Sequence, residues 1–155
     1  METREEIVNP PANCEIVSSR NLSAPRQLVF KAWTDPKHLE MWWGPKGFTN
    51  TFHEFNLQPG GAWQFTMHGP GGVDYKNESV FIKIIEPSKL VWDHISGPKF
   101  QVVATFEELA KDHTNVTFRM IFRSAEECEK VKGYAVDANE QNFDRLEKEL
   151  AVMAS

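Results

Sequence analysis

Ala62-Trp63-Gln64-Phe65-Thr66-Met67-His68 carries the clearest strand pattern in the chain. Trp63, Phe65 and Met67 alternate with Gln64, Thr66 and His68, the period of two expected of a strand buried on one face. Gln58-Pro59-Gly60-Gly61 precedes it and Gly69-Pro70-Gly71-Gly72 follows it, and both clusters read as tight turns. Working outward, residues 49–57, 73–86 and 89–96 read as strands, the last two joined at Pro87-Ser88. Residues 100–109 place Phe100, Val102, Ala104 and Phe106 on one face, and Val116, Phe118, Met120 and Phe122 supply the inner face of a final strand. A weaker alternation over Glu15–Leu22 opens the series. Strands joined by such short turns can pair only antiparallel.

Helical patterns flank this sheet. Ser23, with Pro25 in the first turn, is expected to cap a short helix that carries Leu28, Val29, Ala32 and Trp33 on one face. Asp35-Pro36 repeats the cap-plus-proline start, and that second helix ends at Gly44-Pro45. Ser124-Ala125-Glu126-Glu127 is a capping box opening a long terminal helix. At about 100° per residue, Cys128, Val131, Ala135, Leu146, Leu150 and Met153 share one face. Asn139 and Asn142 fall in the same stripe. A buried amide without partners costs about 1–3 kcal/mol, so these two sit at the stripe's edge, bond backbone groups, or face a cavity. The order of elements predicts an α+β fold, a curved antiparallel sheet of about seven strands wrapped around the terminal helix. The tandem Trp42-Trp43 stands where the short helices meet the sheet, with Trp42 assigned to packing and Trp43 to a pocket.

The 155 residues suit one domain, read as residues 13–155 behind a flexible leader over 1–12 that ends in Asn9-Pro10-Pro11. A net charge of −5 gives no broad basic surface, so no nucleic-acid partner is expected. No signal-peptide pattern and no apolar run near the ~20 residues of a membrane helix are visible, and the expected location is cytoplasmic. Cys14 and Cys128 make no disulfide framework. His38, His53, His68, His94 and His113 lack metal-ligand spacing, so neither a metal nor a cofactor is expected. No nucleophile motif specifies a catalytic residue. Two polar strand residues, Glu78 and His94, are candidates to meet a ligand if they face the concave side of the sheet.

Several motifs in order resemble one family. They are Ala24-Pro25-Arg26 with Val29-Phe30-Lys31-Ala32-Trp33-Thr34-Asp35-Pro36, then Trp42-Trp43-Gly44-Pro45-Lys46-Gly47-Phe48 and Pro59-Gly60-Gly61-Ala62-Trp63. Met67-His68-Gly69-Pro70-Gly71-Gly72 and Gln141-Asn142-Phe143-Asp144-Arg145-Leu146 complete the set. Together they resemble the family of homologues of the activator of the heat-shock-protein-90 ATPase, within the SRPBCC or START-like superfamily. Asn56 and Gln58 depart from the Asp and Arg that many members carry before the Pro-Gly-Gly turn.

The resemblance implies a helix-grip fold with an apolar cavity between sheet and terminal helix. Its expected wall is Trp43, Phe48, Trp63, Phe65, Met67, Trp92, Phe118 and Met120, with Glu78, His94, Asn139 and Asn142 as polar groups. The expected function is binding of a small hydrophobic or amphipathic ligand. Two alternatives stay open: a cyclase-type or hydrolase-type enzyme using His68, Glu78 or His94 on a polyketide-like or lipid substrate, and a chaperone-interacting module. Assembly is left open, a homodimer included.

Overall fold

The computed structural model describes residues 4–155. Seven strands form one sheet in the order β1-β7-β6-β5-β4-β3-β2, every neighbouring pair antiparallel. They are β1 (Glu15–Leu22), β2 (Thr49–Phe55), β3 (Ala62–His68), β4 (Asp74–Ile85), β5 (Lys89–His94), β6 (Phe100–Ala110) and β7 (His113–Ile121). The consecutive strands β2 to β7 are a meander. β1 closes onto β7 at the far edge, so the chain must cross the whole sheet to begin β2. Helices α1 (Arg26–Thr34) and α2 (Pro36–Trp42) make that crossing. Bulges between Phe52 and Glu54, Phe81 and Lys83, and Glu108 and Ala110 add local bend and twist to the sheet.

The long helix α3 (Ala125–Ala154) faces the concave side. Its buried residues are Cys128, Val131, Ala135, Asn139, Phe143, Leu146 and Leu150, at helical steps of three and four. Phe143 is a core residue absent from the stripe expected from the sequence. Ser124 Oγ accepts from the Glu127 N–H (3.2 Å), and the Asp35 carboxylate accepts from the Lys37 N–H (3.0 Å), so both expected caps form. Ser23 does not cap α1. Pro25 is the residue before the first turn, in an extended conformation, and no side chain caps that end. Ser23 lies two residues further out, beyond reach of the first free N–H groups.

Arg20 on β1 ties the sheet to α3 by donating to Glu140 (2.9 Å), Asp144 (2.6 Å) and Glu147 (2.6 Å) while lying over the Phe143 ring. Against a burial that disfavours its charge, these carboxylates hold the guanidinium well above its ordinary pKa. Trp33 and Trp42 fill the junction of helices and sheet, ring centroids 4.9 Å apart, and the buried Trp42 indole donates to the Ala32 carbonyl (2.9 Å).

The convex face carries a second, smaller apolar cluster of Val91, Val103 and Ile121. Residues 4–7, read from the sequence as part of a loose leader, lie against it. Ile7 packs on the cluster and its N–H donates to Gln101 Oε1 (2.7 Å), while Arg4 pairs with Asp93 (3.0 Å). Glu6 bridges Lys83 (3.0 Å) and Lys89 (2.6 Å). Burial raises its pKa, but the two ammonium groups outweigh it and hold the carboxyl below its usual range.

Candidate functional site

A cavity of about 230 Å³ lies between the concave face and α3. It exists because the two sides are unequal. The sheet contributes large aromatics, Trp63, Phe65, Trp92 and Phe118, while α3 presents Ala135 and Ala138 opposite them. Small residues on a helix facing an already filled sheet leave space that no side chain reaches.

Ten of the twelve residues expected at the site line this cavity: Trp43, Trp63, Phe65, Met67, Trp92, His94, Phe118, Met120, Asn139 and Asn142. Phe48 does not. It precedes β2 and packs on Tyr75, centroids 6.1 Å apart, beside Gly69. Glu78 is also excluded from the cavity. Ser79 and Phe81 are the buried residues of β4, so strand parity turns Glu78 to the convex side, where it accepts from Gln64 Nε2 (2.7 Å). The same parity removes His68, which on the convex side lies within hydrogen-bonding distance of Thr51 Oγ1 (2.7 Å) and Asp74 Oδ1 (2.8 Å). The three residues of the enzyme alternative therefore do not converge, and only His94 reaches the cavity.

Trp42 and Trp43 divide as expected from the sequence: Trp42 is 1% exposed in the core and Trp43 lines the cavity. Trp43 meets Trp33, Trp42, Trp63, Trp92 and Phe118 at centroid distances of 5.3–6.2 Å.

Polar groups are few. Asn139, 9% exposed, donates to Ser18 Oγ at 3.3 Å and to Met120 Sδ at 3.6 Å, both long contacts. Asn142 Oδ1 accepts from the Gly44 N–H (3.1 Å). Ser79 Oγ and Trp63 Nε1 are buried with no hydrogen-bond partner among the described residues. His94 stacks on Phe100 at 4.6 Å and donates from Nδ1 to the Pro98 carbonyl (2.8 Å). Its Nε2 faces Asn77 Oδ1 at 2.8 Å, and Asn77 Nδ2 donates to the Tyr75 carbonyl (3.0 Å). Burial pushes the His94 pKa down, favouring the neutral ring, against the hydrogen bonds on its Pro98 and Ser96 side. With Nδ1 donating, a neutral ring leaves Nε2 an acceptor facing the Asn77 carbonyl oxygen, and turning the amide over would satisfy Nε2 only by setting that oxygen against the Tyr75 carbonyl, so the two contacts compete for one NH₂.

Among the described residues no group of three or more His, Cys, Asp or Glu is placed to hold a metal ion. No Asp, Glu, Lys or Arg is among the residues lining the cavity. Cys128 lies buried at the start of α3, where burial pushes its thiol up and away from the reactive thiolate.

The family model described as activator of Hsp90 ATPase homolog 1-like protein matches residues 23–151. The chain belongs to this family. Its fold is shared by solved structures of low sequence identity. A protein from Nitrosomonas europaea superposes with a TM-score of 0.85 at 19% identity, covering 94% of this chain and 99% of that one. One from Arthrobacter aurescens gives 0.83 at 22% identity, over 90% and 87%. A Mycobacterium smegmatis protein gives 0.81 at 22%, over 91% and 93%. Comparison with curated proteins returns no match. No helix among the described residues is long and apolar enough to cross a membrane.

Within this family member the sequence reading missed Arg145. Its guanidinium reaches from α3 to the loop after α2, donating to the carbonyls of Trp43 (3.2 Å), Gly44 (2.8 Å), Pro45 (3.1 Å) and Met41 (3.0 Å). Gln141 Oε1 accepts from the Lys46 N–H (3.1 Å) and Asn142 completes the set. Burial lowers the Arg145 pKa. The loop that carries Trp43 is thus pinned to the helix that roofs the cavity. The sequence signals are its place in the Gln141–Leu146 motif and the Asn142–Arg145 spacing of three, which puts both side chains on one helix face.

Proposed function

We propose that this protein binds a small hydrophobic or amphipathic molecule in the cavity between the sheet and α3. The observation that carries the reading is an aromatic-walled space of about 230 Å³ whose lining includes a few polar side chains, His94, Asn139 and Asn142 among them. Pockets that take small molecules combine apolar walls with a few placed polar groups, and each square ångström of apolar surface removed from water contributes about 25 cal/mol. Membership of a family whose fold commonly encloses such a cavity supports the same reading. Two free, buried thiols, Cys14 and Cys128, suit a reducing compartment, and we place the protein in the cytoplasm.

Native mass spectrometry of freshly purified protein, followed by a thermal-shift screen of apolar and amphipathic compounds, tests the proposal. A bound mass, or a class of compounds that raises the melting temperature, is the expected result. Absence of both would remove it. Chaperone contact is suggested by the family description alone.

A further inference from the structure

The convex face of the sheet, opposite the cavity, grips a segment of chain by its main chain as well as its side chains. Asp93 on β5 and Gln101 on β6 are direct cross-strand partners. Their neighbours Trp92, His94, Phe100 and Val102 line the cavity, so strand parity turns Asp93 and Gln101 to the convex side. Gln101 is 3% exposed. Its Oε1 accepts from the Ile7 N–H (2.7 Å), and its Nε2 donates to the Glu5 carbonyl (3.0 Å) and to Asp93 Oδ1 (3.0 Å). One buried amide thus holds the main chain at two residues, 5 and 7, through groups that any sequence supplies.

Selectivity comes from the side chains around it. Asp93 Oδ2 accepts from Arg4 (3.0 Å), Lys83 and Lys89 clasp Glu6 (3.0 and 2.6 Å), and Ile7 rests on Val91, Val103 and Ile121. The face therefore offers an acid for a cation, two ammonium groups for an acid, and an apolar bed for an aliphatic side chain. Main-chain hydrogen bonds that give affinity, with side-chain contacts that give specificity, are the two parts of a peptide-recognition site.

The segment seated there is detachable. Residues 4–7 belong to no strand or helix. They join β1 through a stretch in which Val8 is 74% exposed and Pro10-Pro11 favours an extended spacer. Such a terminal segment opens without unfolding the sheet. Its departure bares an apolar patch and a buried amide between opposite charges, a surface of the kind that other chains cover. While tethered it competes at an effective concentration of about millimolar, which closes the face to other segments.

We propose that the convex face is a docking site for a segment of a partner protein that carries a cation, an acid two residues on and an aliphatic residue next to it, and that residues 4–7 occupy it as an internal competitor. The site lies on the opposite face from the cavity and does not depend on a ligand there.

In full-length Glu6→Lys the segment meets Lys83 and Lys89 with like charge, so its amide shifts should move to those of a free peptide. A peptide of residues 4–8, acetylated and amidated, is then titrated into methyl-labelled wild type and variant. It should shift the methyls of Val91, Val103 and Ile121 in both, with about tenfold or more higher affinity for the variant, whose competitor is gone. The same peptide carrying Glu6→Lys should bind the variant at least about tenfold more weakly, since its charge is repelled. Full-length Lys83→Glu/Lys89→Glu should reverse the preference and take the charge-changed peptide over the native one. A segment that stays seated in both variants, or a freed face on which the native peptide causes no shifts, would overturn the proposal. So would a wild-type dimer that the peptide splits into monomers, because the site would then belong to a second copy of this chain.

Discussion

Replacing Asn139 with Leu should stabilise this protein, and the size of the effect follows from its surroundings. The amide is 9% exposed on the apolar face of α3, and its two contacts are long ones to a hydroxyl and a thioether. Hydrogen bonds of that length are worth at most about 0.5 kcal/mol each, against a desolvation cost of about 1–3 kcal/mol for an imperfectly paired amide. Leu has the same branching and a larger volume that the adjoining cavity has room for, and burying it is worth about 1.5–3 kcal/mol. Losing the donor to Ser18, itself buried, subtracts about 1 kcal/mol. The net is a gain of about 1–2 kcal/mol, or roughly 3–6 °C in melting temperature for a domain of this length. Differential scanning calorimetry without ligand is the assay. Asn139→Asp should do the opposite, because no cation lines the cavity to receive the carboxylate. That loss should shrink as the pH falls and the acid becomes neutral. If Leu instead lowers the midpoint by more than about 3 °C, the amide is a structural hydrogen-bonding group, and the reading of its two contacts as weak fails.

Other sites give equally direct tests. Arg145→Met should cost about 2 kcal/mol by stripping the carbonyls of Met41, Trp43, Gly44 and Pro45 of a shared donor. Arg145→Lys should recover little of it, since one ammonium cannot span that fork; wild-type stability and tryptophan fluorescence in the Lys variant would count against the pinned-loop account. Gly61→Ala should cost more than about 3 kcal/mol, because a Cβ there would overlap the Asn56 carbonyl oxygen, a backbone atom that cannot swing aside. A midpoint within 2 °C of wild type would contradict it. His94 has a folded-state pKa below its ordinary 6.5, so the unfolded chain binds a proton that the folded protein resists. Its contribution is fully present above about pH 6.5 and is lost as the pH falls through the lowered value. Urea unfolding at pH 7.5, 6.5 and 5.5 should therefore show a decline in the wild type that His94→Gln flattens, and identical pH profiles would reject it.

Most of the sheet was legible because its signals are local. Alternation of period two, broken by Gly-Pro clusters, marks β3 and its neighbours within a residue or two of their observed ends. The cap at Asp35-Pro36 and the box at Ser124–Glu127 were equally readable, since each involves neighbours in sequence. Glu78 was misplaced although its face could have been read: Ser79 and Phe81 are the inward residues, so their neighbour in sequence points out. Phe48 was misplaced for another reason. It belongs to no strand, and periodicity says nothing about where a loop side chain turns. The convex cluster of Val91, Val103 and Ile121 also escaped, because an outward apolar row makes sense only once Ile7 is seen lying on it.

Local patterning in the chain is enough to specify the antiparallel meander, the terminal helix, the junction of short helices and the placing of Trp42 and Trp43 at that junction. It could do so because periodicity, turns and caps act over a few residues. Only the tertiary structure decided that the interior is hollow, that Ser79 and Trp63 bury polar atoms without partners among the described residues, and that Arg145 holds the Trp43 loop. Each of those depends on which residues meet across more than a dozen positions of chain. A cavity in particular is the space left between Ala135 and Ala138 on one element and aromatic rings on others. No single segment encodes it.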